Sequence, residues 1–347
     1  MNERLLRLYD EVTKNRSVSN EAIHSDDRVL IVDGLNTYIR VFSAVPALND
    51  DGDHVGGVVG FLRSIAALVR QFKPTRCVLV FDGKGGSARR KKVFSNYKAN
   101  RAVKTKFNRH EEFANIEDEQ ASMKAQFSRM VEYLQTLPVT LISIDHVEAD
   151  DVIAYLAQET FAKSERVIIS STDRDFLQLI SDRVQVWSPV KKKLYDKRSL
   201  QEEYLVHPNN YLTYRTVIGD KSDNIPGVNG VALKTLVKLF PELTEEPQVD
   251  VDMLVDKATQ IKGKAAITLS EAKTQLDMNW DLMQLKDVDI PANTKLLVHD
   301  IAHRPINKMN QLEFKKMFMR DKLYTVIKDV DFWLRDTFLS LTAYSQH

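Results

Sequence analysis

Four short apolar runs, Arg28 to Val32, Arg76 to Phe81, Val139 to Ile144 and Arg166 to Ser170, set the strongest limit on what this chain can fold into. They are rich in Val, Ile and Leu, show little polar–apolar alternation, and lie far enough apart for helices to run between them. A strand that is apolar on both faces must be covered on both, so the pattern predicts a parallel sheet with crossover helices on either side. Gly56 to Phe72 carries Phe61, Ile65, Leu68 and Val69 at helical spacing and stops at Lys73-Pro74. Met123 to Leu137 behaves likewise and stops at Pro138, and Asp150 to Phe161 reads as a third crossover helix.

Each run leads into acid. Val32 is followed by Asp33 and Phe81 by Asp82; the third run leads to Glu148-Ala149-Asp150-Asp151 and the fourth to Asp173-Arg174-Asp175. In an open α/β sheet, functional groups collect outside the carboxyl ends of the strands, so these carboxylates are expected in one crevice. Like charges a few ångströms apart repel unless cations separate them. Hard divalent ions such as Mg²⁺ take oxygen ligands and keep several waters, whereas no Cys/His group here has zinc spacing. An oxygen-only site for two ions is the arrangement used for in-line phosphodiester displacement. Taken singly, each acid has a plainer reading. Asp33-Gly34 and Asp82-Gly83 could be turns, Asp150-Asp151 a helix cap and Asp173-Arg174-Asp175 a surface ion pair. Their recurrence at strand ends favours the site.

A further pair, Asp220 and Asp223, is spaced so that both can face one side. Ile225 to Val231 follows as a glycine-punctuated hairpin, ahead of an amphipathic helix with Leu233, Leu236, Val237 and Phe240. Backbone amides at such a helix start grip a phosphate without reading its base. The net charge is only +1, yet Lys84 to Arg109 holds ten basic residues and no acid, and Glu111, Glu112, Glu117, Asp118 and Glu119 follow at once. Segregated charge creates a strong local field under a neutral total and points to nucleic acid; a solvated surface segment is the plainer alternative. The single cysteine, Cys77, lies in an apolar run, excludes an internal disulfide and fits a reducing cytoplasm. No run approaches the roughly eighteen apolar residues of a membrane span, and the polar start lacks a signal-peptide core.

Six strings, in this order and spacing, resemble the 5′ nuclease family: flap endonucleases, bacteriophage 5′→3′ exonucleases (some called RNase H) and the N-terminal nuclease domain of bacterial DNA polymerase I. They are Val-Asp-Gly at 32–34, Phe-Asp-Gly-Lys-Gly at 81–85, Tyr-Lys-Ala-Asn-Arg at 97–101, Glu-Ala-Asp-Asp at 148–151, Asp-Arg-Asp-Phe at 173–176 and Gly-Asp-Lys-Ser-Asp-Asn-Ile-Pro-Gly-Val at 219–228. The resemblance covers about Arg28 to Phe240, with a shorter echo from Met278 to Pro291. It implies a PIN/Rossmann-like α/β fold, a mostly parallel sheet flanked by helices, in a nuclease domain at 28–190 with a basic helical arch at about 84–120. A helical extension at 1–27 precedes it, and a helical region at 191–347 follows with a helix–hairpin–helix DNA-binding element at about 210–242.

The resemblance implies Asp33, Asp82, Glu148 and Asp150 as ligands of a first metal ion, with Asp151 nearby, and Asp173, Asp175, Asp220 and Asp223 as the second group. The ions are two Mg²⁺, replaceable by Mn²⁺. Lys98 and Arg101 match residues that engage the scissile phosphate. Tyr97 is expected to stack on a base, Arg89 and Arg90 to contact backbone phosphates, and Gly227, Val228, Gly230 and Lys234 to hold duplex. A K⁺ site at the hairpin also follows, weakened where Ala232 stands in place of the family's usual glycine. The segment 102–120 lacks the prolines of polymerase-linked forms and is strongly charged, so the resemblance does not fix the shape of the clamp.

The expected activity is that of a structure-specific metal-dependent nuclease, a 5′→3′ exonuclease and flap endonuclease leaving 5′-phosphate ends and removing RNA primers during DNA replication. A monomeric, free-standing enzyme of the kind phages encode is expected, in the host cytoplasm, acting on DNA and RNA·DNA hybrid beside a single-stranded-DNA-binding protein. Gln311 to Phe318 faintly resembles a sliding-clamp-binding peptide, although an amphipathic helix packing its Phe and Met inward is the simpler reading. Two other classes stay open: a non-catalytic nucleic-acid-binding protein, and a phosphotransferase using Asp173-Arg174-Asp175, which leaves the basic stretch unexplained.

Overall fold

The computed structural model describes residues 27–99, 107–110 and 113–343. The expected N-terminal extension, apart from Asp27, and Arg101 lie outside the described residues. In chain order the first part comprises β1 (Arg28–Asp33), α1 (Gly34–Ala44), α2 (Gly56–Phe72), β2 (Arg76–Asp82), α3 (Ala88–Val93), α4 (Ile116–Gln135) and β3 (Thr140–Ile144). It continues with α5 (Ala149–Tyr155), β4 (Arg166–Ser170), β5 (Val184–Ser188) and β6 (Lys193–Tyr195). The strands form one sheet in the order β3-β2-β1-β4-β5-β6, parallel except for β6, which runs antiparallel to β5. The chain builds outward from β1 to β3, then returns to the other side of β1. That reversal opens a crevice at the carboxyl ends of β1 and β4.

The continuous apolar runs are explained by two cores. Val29, Ile31, Val78 and Val80 face one, while Leu30, Val32, Cys77 and Leu79 face the other. The first core is closed by α5 and by the helices after the sheet, α6 (Lys197–Tyr204), α7 (Tyr211–Ile218), α8 (Leu233–Leu239), α9 (Val251–Gln260), α10 (Lys264–Ser270), α11 (Lys273–Met283) and α12 (Ala292–His303). The second is closed by α1, α2 and α4 and by α13 (Gln311–Arg320) and α14 (Val330–Ala343).

Two sequence expectations shift, and the simpler reading of Gln311 to Phe318 holds for its phenylalanines. The sheet gains β5 and β6, whose short, partly polar strands carry no continuous apolar run, and it passes position 190 to end at Tyr195. Helix α4 begins at Ile116 rather than Met123, because the Asn115 side chain caps it and Glu117, Asp118 and Glu119 fill its first turn, where the helix dipole favours anions. Phe314 and Phe318 lie inside the second core, so the clamp-peptide resemblance of Gln311 to Phe318 belongs to a packed helix. No helix among the described residues is long and apolar enough to cross a membrane.

Candidate active site

The carboxyl ends of the strands open on a cavity of about 370 Å³, and Asp33, Asp82, Asp150 and Asp173 all line it. Asp33 ends β1 and caps α1: its Oδ1 accepts from the Asn36 amide at 3.2 Å, and its Oδ2 from Ser171 Oγ at 2.8 Å. The Asp173 amide donates to Ser171 Oγ at 3.0 Å, and Thr172 Oγ1 donates to Asn36 Oδ1 at 2.8 Å. The β1 and β4 ends are therefore laced together across the crevice. Asp82 Oδ1 accepts from the Ala149 amide at 2.9 Å, which seats the start of α5 and with it Asp150.

Three of these carboxyls, those of Asp33, Asp150 and Asp173, hold protons more tightly than ordinary ones. Burial pushes Asp33 up to about 6, against the hydrogen bonds from Ser171 and Asn36. Burial, then the charge of Asp175, pushes Asp173 up to about 7, and burial with the charge of Asp173 raises Asp150 well above the usual range. Cations at the site relieve such strain.

Protein cations already engage the remaining acids. Arg90, only 4% exposed, grips Asp151 with Nη2 on Oδ1 at 2.6 Å and Nη1 on Oδ2 at 2.9 Å. Its Nη1 also pairs with Glu148, and its Nε donates to the Leu282 carbonyl at 2.8 Å. Lys98, at φ 56°, lines the cavity and donates through Nζ to Glu148 Oε1 at 3.0 Å, with Asp223 Oδ2 at 4.0 Å. Burial works to raise Glu148, but Arg90 and then Lys98 outweigh it and hold its carboxyl below the ordinary value. Arg215 on α7 joins Asp175 Oδ1 at 2.9 Å to Asp220 Oδ2 at 2.5 Å.

Four expected roles change on this geometry. Arg90 points inward as a counter-ion and offers no surface to a backbone phosphate. Asp151 holds Arg90 and faces away from the cavity, since neighbours on a helix diverge by about 100°. Tyr97 is 3% exposed with its hydroxyl 3.3 Å from Glu148 Oε2, so no base can stack on it. Val228 is buried, and its amide donates to the Val217 carbonyl at 2.8 Å. By contrast Gly230 and Lys234 are exposed, Gly227 is half-buried, and Arg89 makes only an outer pair with Asp289 at 3.4 Å. Arg40 went unread in the sequence. It lines the cavity with its Nε buried and without a hydrogen-bond partner. The signal was its place seven residues after Asp33, two helical turns along one face.

Among the described residues no three acidic, His or Cys side chains stand close enough to ligate one ion directly as placed. The donor set nevertheless fits Mg²⁺, which keeps several waters and binds through one or two carboxylates at a time. Its four acids offer only oxygen ligands, and the cavity matches that preference.

The family model for the 5′-3′ exonuclease N-terminal resolvase-like domain matches residues 28–205, and that for the 5′-3′ exonuclease C-terminal SAM fold matches 206–308. A 5′-3′ exonuclease of Aquifex aeolicus is 29% identical over 302 residues, 85% of this chain and 95% of that protein. A thermostable DNA polymerase I of Thermus thermophilus is 32% identical over 272 residues, 76% of this chain, which spans only 31% of the polymerase. Among solved structures, the bacteriophage T5 flap endonuclease in a pseudo-enzyme–product complex with DNA and metal ions superposes with a TM-score of 0.59 at 21% identity, covering 85% of this chain and 99% of that one. The chain belongs to the 5′-3′ exonuclease family, and it is a hydrolytic nuclease.

Proposed function

We propose that this chain is a structure-specific 5′ nuclease, acting on DNA and RNA·DNA hybrid as exonuclease and flap endonuclease, dependent on two divalent ions, and serving primer and flap removal in cytoplasmic DNA replication. One observation carries the reading. Four strand-end acids share a single cavity with two cations, Lys98 and Arg40. Anions suit metal, and cations suit the phosphate that bridges to it.

Asp33, Asp82, Asp150 and Asp173 would hold the ions, with Glu148 behind them through Lys98, and Asp175, Asp220 and Asp223 flanking. Bound there, Mg²⁺ or Mn²⁺ supplies Lewis acidity and a water made acidic enough to give hydroxide near neutral pH. Lys98 and Arg40 orient the phosphodiester and stabilise charge growing on its oxygens. The exposed Gly230 turn and Lys234 meet duplex backbone, and Arg89 adds a surface contact. The T5 complex with DNA and metal ions supports the reading by analogy of fold.

The test is cleavage of 5′-labelled flap, nicked and RNA·DNA substrates in Mg²⁺. Wild type yields 5′-phosphate products and EDTA stops it. Asp150→Asn and Lys98→Ala each slow cleavage by roughly a hundredfold or more, equivalent to losing about 3 kcal/mol of charge stabilisation. Wild type that leaves all three substrates intact in Mg²⁺ refutes the proposal.

A further inference from the structure

Glu119 is fully buried, yet among the described residues no cation pairs with its carboxylate. Its Oε2 accepts from the Phe107 amide at 3.0 Å and its Oε1 from the Asn108 amide at 2.5 Å. A buried anion is costly unless hydrogen-bonded, and the two amides, with the N-terminal turn of α4 behind them, meet that need. The segment it grips, 107–110, is the last limb of the basic stretch in sequence.

The same limb is fastened to α1. Asn108 Nδ2 donates to the Phe42 carbonyl at 2.6 Å, and the Arg109 amide donates to the Ser43 carbonyl at 3.1 Å. These carbonyls belong to the last turn of α1, where a helix has no internal donors left. Phe113 then stacks on Phe42 with ring centroids 6.2 Å apart. Helix α1 is thus fixed at both ends: Asp33 caps its start, Ile39 and Arg40 face the cavity from its middle, and the basic limb closes its C-terminus.

We propose that Glu119 and Asn108 are positioning residues for a free single-stranded 5′ end. They seat this limb on α1, so that the polyanionic strand meets two cations held by the fold, Lys98 at the cavity and the exposed Arg109 on the seated segment. The inference rests on the 5′-nuclease reading, and it assigns Glu119 and Asn108 no contact with substrate.

The experiment compares wild type, Glu119→Ala, Glu119→Gln and Asn108→Ala. Equilibrium binding of a 5′-flap duplex and of the same duplex without the flap is measured in EDTA. Flap-cleavage kcat and KM in Mg²⁺, amide exchange at 107–110 and the unfolding midpoint complete the set. Glu119→Ala raises Kd and KM for the flap substrate roughly tenfold, the size expected for lost charge-assisted bonds, while flapless binding and kcat stay near wild type. Exchange at 107–110 accelerates, and Glu119→Gln, which keeps one of the two accepting oxygens, recovers part of the affinity. Flap binding at the wild-type level in Glu119→Ala overturns the proposal. So does an equal loss for flap and flapless duplex with a lowered unfolding midpoint, the mark of a merely structural residue. Should Glu119→Ala not fold, Asn108→Ala, which leaves the Glu119 bonds in place, decides by the same comparison. A wild type inactive in Mg²⁺ would defeat the nuclease reading, whereas the EDTA binding comparison would still judge this one.

Discussion

Arg90 shows how little a run of basic residues says about where each one points. Lys91 and Lys92 beside it are exposed, while Arg90 is enclosed between Glu148, Asp151 and the Leu282 carbonyl. Its removal leaves two buried carboxylates unpaired, so Arg90→Ala should cost about 3–5 kcal/mol in urea unfolding, with no change in the salt dependence of DNA binding beyond that of unfolding. Arg40→Ala should do the reverse: an unchanged unfolding midpoint, weaker binding, and a slope of log affinity against log salt smaller by roughly 0.7–0.9, one phosphate contact. The two arginines were equally visible as letters. The acids were legible because strand ends dictate where they gather; the arginines were not, because a long side chain has no fixed direction until its neighbours are known.

Elements with two-sided burial were legible, and edge elements were not. The parallel strands are named by runs such as Val29-Leu30-Ile31-Val32, but β6 has three residues and is held from outside by α6. Glu203 there accepts from Lys193 Nζ at 2.8 Å and Tyr195 Oη at 2.8 Å, and also pairs with Lys191. Burial works against it, but these partners depress its carboxyl from the ordinary 4.5 to about 2. A depressed carboxylate stabilises the fold above its unfolded value and loses that contribution as pH falls through the folded one. Wild type should therefore lose stability between pH 4.5 and about 2, and Glu203→Gln should flatten that part of the stability–pH curve. The hairpin gives a second element-level test. A Cβ at Gly227 would lie 2.1 Å from the Ile218 carbonyl oxygen, whereas one at Gly230 meets nothing, although φ there is +77°. Gly227→Ala should cost about 1–3 kcal/mol by overpacking and weaken duplex binding. Gly230→Ala should cost about 1–2 kcal/mol from backbone strain. Thermal unfolding and duplex titration distinguish them.

For the whole molecule, the order of elements was readable and their wrapping was not. Helical spacing predicted that helices follow the sheet; nothing in it said that the chain would divide them between the two faces. The family models end at 308, yet Phe314, Phe318 and Phe338 beyond that point are buried in the core they share with α1, α2 and α4. At about 1.5–3 kcal/mol for each buried phenylalanine, they supply a large part of the 5–15 kcal/mol that typically holds a domain together. Deleting 309–347 should expose that face, bind a hydrophobic dye and blur the unfolding transition, with nuclease activity lost although every acid of the site remains. The shared motifs therefore carry the chemistry without carrying the fold. Transplanted alone into another protein, they would arrive without the helices that close one face of the sheet carrying the acids, and the tail and the sheet face it covers must change together in any descendant of this chain.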